Sequence, residues 1–152
     1  MIQIIPVQKT DNDAKLIMTW RNDETTRKNS INKNVKEWNT FKIEFYENYF
    51  NNIPLFALLD NKKIAFISFV KIINNNYKIG INIAPEYRGK KLSSKIINKA
   101  IKYIQLNYSD IQKIFAEIKD FNIPSIKTFL KSGFTFKEKR TNLNTYLFNI
   151  IK

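Results

Sequence analysis

From Tyr77 to Ile97 the chain reads YKIGINIAPEYRGKKLSSKII, and this stretch narrows the possible folds more than any other. Tyr77, Ile79, Ile81 and Ile83 recur at every second position, the period of a half-buried strand. Pro85 ends the strand, and the basic turn Arg88-Gly89-Lys90-Lys91 follows. Leu92, Ile96, Ile97, Ala100, Ile101 and Ile104 then share one face at helical spacing. A strand that delivers a cationic, glycine-containing turn to a helix N-terminus suits phosphate binding. The first helical N–H groups have no backbone partner, and the helix dipole is positive there. For the turn taken alone, the competing reading is an ordinary strand-to-helix connection on a lysine-rich surface.

A second unit lies downstream. Lys113 to Ile118 (KIFAEI) reads as a short strand, followed by NIPSIKTFLKSGF from Asn122 to Phe134. Asn122 suits a helix N-cap, and Pro124 suits the first turn. Ile126, Phe129 and Leu130 supply an apolar face, Gly133 a left-handed helix end, and Phe134 a return to strand.

These two units resemble the GNAT superfamily of N-acetyltransferases. The family binds the coenzyme A pyrophosphate through Arg or Gln, two residues, Gly, one residue, then Gly or Ala. Arg88 opens that pattern here, with Lys91 at the Gly position, Ser93 at the Gly/Ala position, and Gly89 one step after the Arg as often in the family. A glycine at Lys91 would let the backbone approach a phosphate; a lysine at negative φ still offers its N–H, and adds a charge. The second unit matches the family's Asn, two residues, Ala or Ser, helix, Gly-Phe through Asn122, Ser125 and Gly133-Phe134. Two such units at the family's separation imply its fold. That fold is an α/β (α+β) domain with a mixed, mostly antiparallel sheet of six to seven strands, splayed at the fourth and fifth, and about four flanking helices.

Composition agrees with one compact domain over residues 1–152. The 43% hydrophobic and 14% aromatic fractions argue against disorder. The longest apolar run, Ile64 to Val70, is too short to span a bilayer, and the N-terminus lacks a secretory pattern. A cytoplasmic protein without a membrane partner is therefore expected. With no cysteine and no histidine, disulfides, thiolate zinc sites, cysteine nucleophiles and serine–histidine hydrolysis are excluded, and no metal is expected. The net charge of +13 is almost all lysine, since arginine occurs only at 21, 27, 88 and 140. Joint enrichment in Lys, Asn and Ile is what AT-rich codons produce, and no nucleic-acid-binding signature appears, so no nucleic-acid partner is expected.

A pass along the chain gives strand Ile2–Val7 and helix Asp11–Asn22, which carries Leu16, Ile17 and Trp20 and is capped by the preceding Asp/Asn cluster. A second helix, Val35–Asn48, carries the stripe Trp38, Phe41, Phe45 and Tyr49, read as core. Leu55–Leu59 and Lys63–Lys71 form a hairpin around Asp60-Asn61. Phe134–Glu138 and Thr145–Ile151 close the sheet. The resulting order, β-α-α-β-β-β-α-β-α-β-β, is that of the acetyltransferase fold.

The resemblance implies the chemistry. Acetyl-CoA is the cosubstrate, and its pantetheine arm replaces strand pairing between Ile81-Asn82-Ile83 and Glu117-Ile118. The coenzyme set is Ile81, Asn82, Ile83, Arg88, Gly89, Lys90, Lys91, Leu92, Ser93, Asn122, Ser125 and Phe129. A substrate amine attacks the thioester directly while a fourth-strand N–H, assigned to Asn82, stabilises the oxyanion. Gly80, unusual inside a strand, fits a bulge or close ligand approach. The family's helix tyrosine, which protonates the thiolate, is replaced by Phe129, leaving that role vacant or moved. Glu117 is the candidate base, against the alternative of a solvated strand-edge carboxylate. Trp20, Arg21, Asn22 and Arg27, with Ser30 beyond, are the candidate acceptor-binding residues, by stacking and ion pairing. The alternative is a core Trp with cations at a helix C-terminus. The WRN…R…S pattern looks like bacterial enzymes that acetylate 4-amino sugars on nucleotide carriers, as in pseudaminic acid synthesis. This favours a small-molecule amine, a nucleotide-linked amino sugar. Alternatives are acetylation of ribosomal-protein or other protein N-termini, or a catalytically weak acyl-CoA-binding domain. Either a monomer or a homodimer fits.

Overall fold

The computed structural model describes residues 1–150. Seven strands form one sheet in the order β1-β2-β3-β4-β5-β7-β6. They are β1 (Ile2–Pro6), β2 (Ile53–Leu59), β3 (Lys62–Lys71), β4 (Asn76–Ile83), β5 (Lys113–Lys119), β6 (Thr135–Arg140) and β7 (Leu143–Asn149). Only β4 and β5 run parallel. The expected last strand ends earlier than Thr145–Ile151 implied; Ile151 lies outside the described residues. Five α-helices flank the sheet rather than about four: α1 (Asp11–Arg21), α2 (Glu24–Asn29), α3 (Trp38–Asn48), α4 (Ser93–Asn107) and α5 (Ile123–Lys131). Within the described residues no helix is long and apolar enough to cross a membrane.

Local chemistry sets the boundaries. The α1 cap is Thr10, whose side chain accepts from the Asp13 amide, rather than the Asp/Asn cluster, which supplies acidic residues to the first turn. Asp60 and Asn61 both take positive φ (49° and 67°), the backbone of a type I′ hairpin turn. α3 begins at Trp38 rather than Val35, whose side chain is exposed. At the end of α5, the Phe134 amide donates to Phe129 O and the Gly133 amide to Leu130 O, both at 3.1 Å. Gly133 sits at φ 99° and the Phe129 and Phe134 rings meet edge-on at 5.1 Å, a complete Schellman stop.

The sheet separates two cores. Ile96, Ile97, Ala100, Ile101 and Ile104 of α4 and Phe129 of α5 cover one face. Ala14, Ile17 and Trp20 of α1 and Phe41 and Phe45 of α3 cover the other. The six residues of α2 bury no side chain and sit over the second face near β4.

Candidate active site

The site exists because β4 and β5 part company. They pair only from Asn76–Lys78 to Lys113–Phe115; beyond that, Ile79–Ile83 and the C-terminal half of β5 have no partners in each other. On its far side β4 keeps its ladder with β3 through Ala65↔Ile83 to Lys71↔Tyr77. The Ala84 amide donates to Ile64 O, and the Ile72 amide to Asn76 O. Even-numbered β4 residues therefore exchange their backbone bonds with β3, and the main-chain groups of Ile79, Ile81 and Ile83 face the opening. On β5 the Ile150 amide donates to Gln112 O and the Asp120 amide to Asn142 O. Even residues thus serve β7, and Glu117 and Lys119 present backbone toward β4. Unpaired strand edges need partners, and they border a cleft of about 490 Å³.

Of the expected coenzyme residues, Ile81, Asn82, Ile83, Arg88, Gly89, Ser93, Asn122, Ser125 and Phe129 all line this cleft, as does Glu117. Lys90, Lys91 and Leu92 do not. Lys90 Nζ lies 5.4 Å from the Tyr87 ring centroid, and Leu92 packs against the core. Gly89 (φ 72°) and Lys91 (φ 58°) are both left-handed. The expectation that lysine works here at negative φ is corrected: the turn needs a positive φ, and Lys91 adopts it at a steric cost glycine would not bear. Leu92 precedes α4 without a side-chain cap. Among the described residues nothing accepts a hydrogen bond from the amides of Gly89 to Lys95. The helix start is thus an open set of donors. Asn122 Oδ1 accepts from the Ser125 amide at 3.4 Å, so it caps α5 while lining the cleft.

Other expectations are corrected. Asn82's main-chain N–H faces the β3 ladder, not the opening; its carboxamide Oδ1 instead accepts from Thr26 Oγ1 at 3.1 Å. Gly80 marks no bulge, since the β3–β4 register is unbroken. It leaves room for Ser68, whose Oγ would lie 3.1 Å from a Cβ at that position. Phe129 is 4% exposed and packs edge-on against Phe134, with only its cleft-facing edge free. Glu117 is bound by Lys78 Nζ at 2.8 Å, a clasp at the point where the strands begin to diverge.

The acceptor residues fare differently. Trp20, Arg21, Asn22 and Arg27 are all absent from the cleft lining. Trp20 is 5% exposed and meets Phe56 edge-on at 6.0 Å, so its ring belongs to the core and is not available for stacking. Arg21 acts on Tyr49, whose hydroxyl burial pushes up to about 12 against the pull of the guanidinium. The Asn22 carboxamide clamps the Lys36 backbone in both directions, at 2.6 and 2.9 Å. Arg27 Nε donates to Asn22 O at 3.2 Å. These residues fasten the α1–α2–α3 connection, and what they position is α2, which sequence reasoning missed.

From α2 and the residue after it, Thr25, Thr26, Asn29 and Ser30 line the cleft opposite Lys119, Pro124 and Thr128. Asp23 caps α2 by accepting from the Thr26 amide at 3.1 Å and binds Arg88 at 2.7 Å. Burial alone would push the Asp23 carboxyl up; the bond from Arg88, the Thr26 amide and the Arg88 charge outweigh it and hold it below 3.8. Arg88 also donates to Thr26 Oγ1 at 2.7 Å. The Arg88–Lys91 turn and α2 are therefore tied together.

The acetyltransferase (GNAT) family model matches residues 15–134, and the chain belongs to this family. Over 155 residues it is 27% identical to an uncharacterized protein of Methanocaldococcus jannaschii, aligning 97% of this chain but spanning only 31% of that relative. The crystal structure of a domain from the same organism superposes with a TM-score of 0.82 at 26% identity, covering 99% of both chains. An aminoglycoside acetyltransferase, AAC(6')-Ib, solved with coenzyme A, shares the fold at TM-score 0.83 and 13% identity, covering 98% of this chain and 95% of that one. A spermidine N-acetyltransferase from Vibrio cholerae, solved with CoA and spermine, does so at TM-score 0.81 and 14% identity, covering 97% and 95%.

Proposed function

We propose that the protein transfers the acetyl group of acetyl-CoA to a primary amine, and that the acceptor is the amino group of a nucleotide-linked amino sugar. The observation that carries the first half is the splay of β4 from β5. Its free main-chain groups suit an amide-bearing pantetheine arm, and the open amides from Gly89 to Lys95 suit the pyrophosphate. Arg88, Gly89, Ser93, Asn122 and Ser125 would border the arm's path.

In this reading the amine nitrogen attacks the thioester carbon and a C–N bond forms. The carbonyl π pair moves onto oxygen and is held by an inward-facing N–H of Ile81 or Ile83. Collapse of that intermediate breaks the C–S bond, and the sulfur leaves with the electron pair. The ammonium proton passes to Glu117, directly or through a water, and the thiolate takes a proton from solvent, because Phe129 has none to give.

The lining supports the acceptor class. A polycation such as an aminoglycoside or spermine is best held by carboxylates. Glu117 is the one carboxylate among the lining residues, it is already paired with Lys78, and Arg88 and Lys119 line the cleft beside it. Neutral hydroxyls and amides on Thr25, Thr26, Asn29 and Ser30 suit sugar hydroxyls, and Lys119 suits a diphosphate. The test is thiol release from acetyl-CoA with a UDP-linked 4-amino sugar, spermidine and kanamycin compared side by side. The sugar nucleotide is expected to be turned over with the highest kcat/KM. Preferred turnover of either polycation, or acetylation of ribosomal proteins without turnover of the sugar, would replace this acceptor.

A further inference from the structure

We infer that Asn82 contributes through its side chain: Nδ2 is a second donor to the acyl oxygen, and Thr26 is the positioning residue that aims it. The inference rests on the acetyl-transfer reading of the cleft. Thr26 Oγ1 receives a hydrogen bond from Arg88 at 2.7 Å, so its own proton is available for a neighbour. The shorter option for that proton is Asn82 Oδ1 at 3.1 Å. The longer is Asp23 Oδ2 at 3.4 Å, which already accepts from Arg88 and the Thr26 amide. A directional chain results, Arg88 to Thr26 to Asn82, that turns Oδ1 toward α2 and Nδ2 away from it.

Nδ2 is then screened from water and, among the described residues, has no acceptor. Folded proteins seldom leave a buried donor in that state, because its lost hydration is uncompensated. Asn82 lines the cleft between Ile81 and Ile83, whose main-chain groups face the same opening. A small shift of the groups that cover Nδ2 brings it to a thioester oxygen drawn into the splay, and that bond relieves the unpaired donor. As the carbonyl becomes an oxyanion the bond becomes charge-assisted, so it strengthens on the way to the transition state, where a preorganised donor shielded from water is most effective. The chain begins on the coenzyme turn and passes through α2, so the amide is aimed only when those two elements are docked.

Four variants of the full chain test this: Asn82→Asp, Thr26→Val, Thr26→Ser and the Val/Asp double variant, with Asn82→Ala in reserve should the introduced carboxylate disturb folding. Acetyl-CoA affinity is read by calorimetry. Thiol release is read with the UDP-linked 4-amino sugar and, without an acceptor, as slow hydrolysis by water. Asn82→Asp is expected to lower kcat on the order of 10²-fold with acetyl-CoA affinity held within about twofold. Thr26→Val is expected to cost about tenfold in kcat, Thr26→Ser to recover most of that loss, and the double variant to match Asn82→Asp alone. Unchanged kcat in Asn82→Asp, equal losses in the Val and Ser variants, or additive losses in the double variant would overturn the inference. A wild type that binds acetyl-CoA but ignores the sugar removes the acceptor reading only, and the hydrolysis series still decides Asn82. A wild type that does not bind acetyl-CoA removes both.

Discussion

The turn between β4 and α4 and the segment between α1 and α3 meet on the wall of the same cleft, Arg88 bonded to Asp23 and Thr26, yet they are held by different means. In the first, the backbone carries the site: left-handed residues at Gly89 and Lys91, an uncapped helix start, and strand edges left free by the splay. In the second, side chains hold it: Asn22 on the Lys36 backbone, Asp23 on Arg88, and Thr26 on Asn82. Backbone sites tolerate a changed side chain if its φ is accessible, as Lys91 illustrates. A short helix with no buried residue, like α2, depends on every clasp it has.

The largest effect that would break this contrast is at Trp20. As a core residue it costs about 3–5 kcal/mol of stability when replaced by Ala, read by chemical denaturation, with the acceptor KM of the folded fraction unchanged. A raised KM at unchanged stability would return it to the acceptor site. Next, Arg88→Ala is expected to weaken acetyl-CoA binding about tenfold, or about 1.4 kcal/mol by calorimetry. Asp23→Asn should act in the opposite direction by about threefold, because the guanidinium no longer divides itself between carboxylate and pyrophosphate. Smaller again, Lys91→Gly relieves the left-handed strain at some entropic cost, for a net gain of about 0.5 kcal/mol and about 1–2 °C in Tm.

The smallest effect is in pH dependence. The folded-state pKa of Asp23 lies below its unfolded value near 3.8, so its contribution is fully present above that value and is lost as pH falls through the folded pKa. Stability differences between wild type and Asp23→Asn, measured by urea unfolding, should therefore be constant near neutrality and shrink below about pH 4.

The comparison also explains what could be read beforehand. The strand–turn–helix units were legible because their signals are local: alternation at Ile79, Ile81 and Ile83, the Asn122 cap, and the Gly133 stop. The splay was reached only by resemblance, since it depends on which strand pairs stop short. α2 was missed because ETTRKN has no apolar periodicity and two β-branched threonines; the Asp23 cap was the one signal that could have found it. Trp20 was read as a ligand surface, although it follows Ala14 and Ile17 at helical spacing, the buried face of α1. Its neighbour Arg21 faces Tyr49 instead. Asn82 was assigned by its backbone, whereas strand parity turns the main-chain groups of Ile81 and Ile83, not its own, to the opening.

The central claim is that the splay and the open helix start together hold acyl-coenzyme A. The most direct test is calorimetric titration with acetyl-CoA against acetyl-pantetheine lacking the pyrophosphate. Micromolar binding of acetyl-CoA that weakens at least about tenfold without the pyrophosphate is the predicted result, a difference of about 1.4 kcal/mol. Equal affinity for both ligands, or no binding of either, would contradict it.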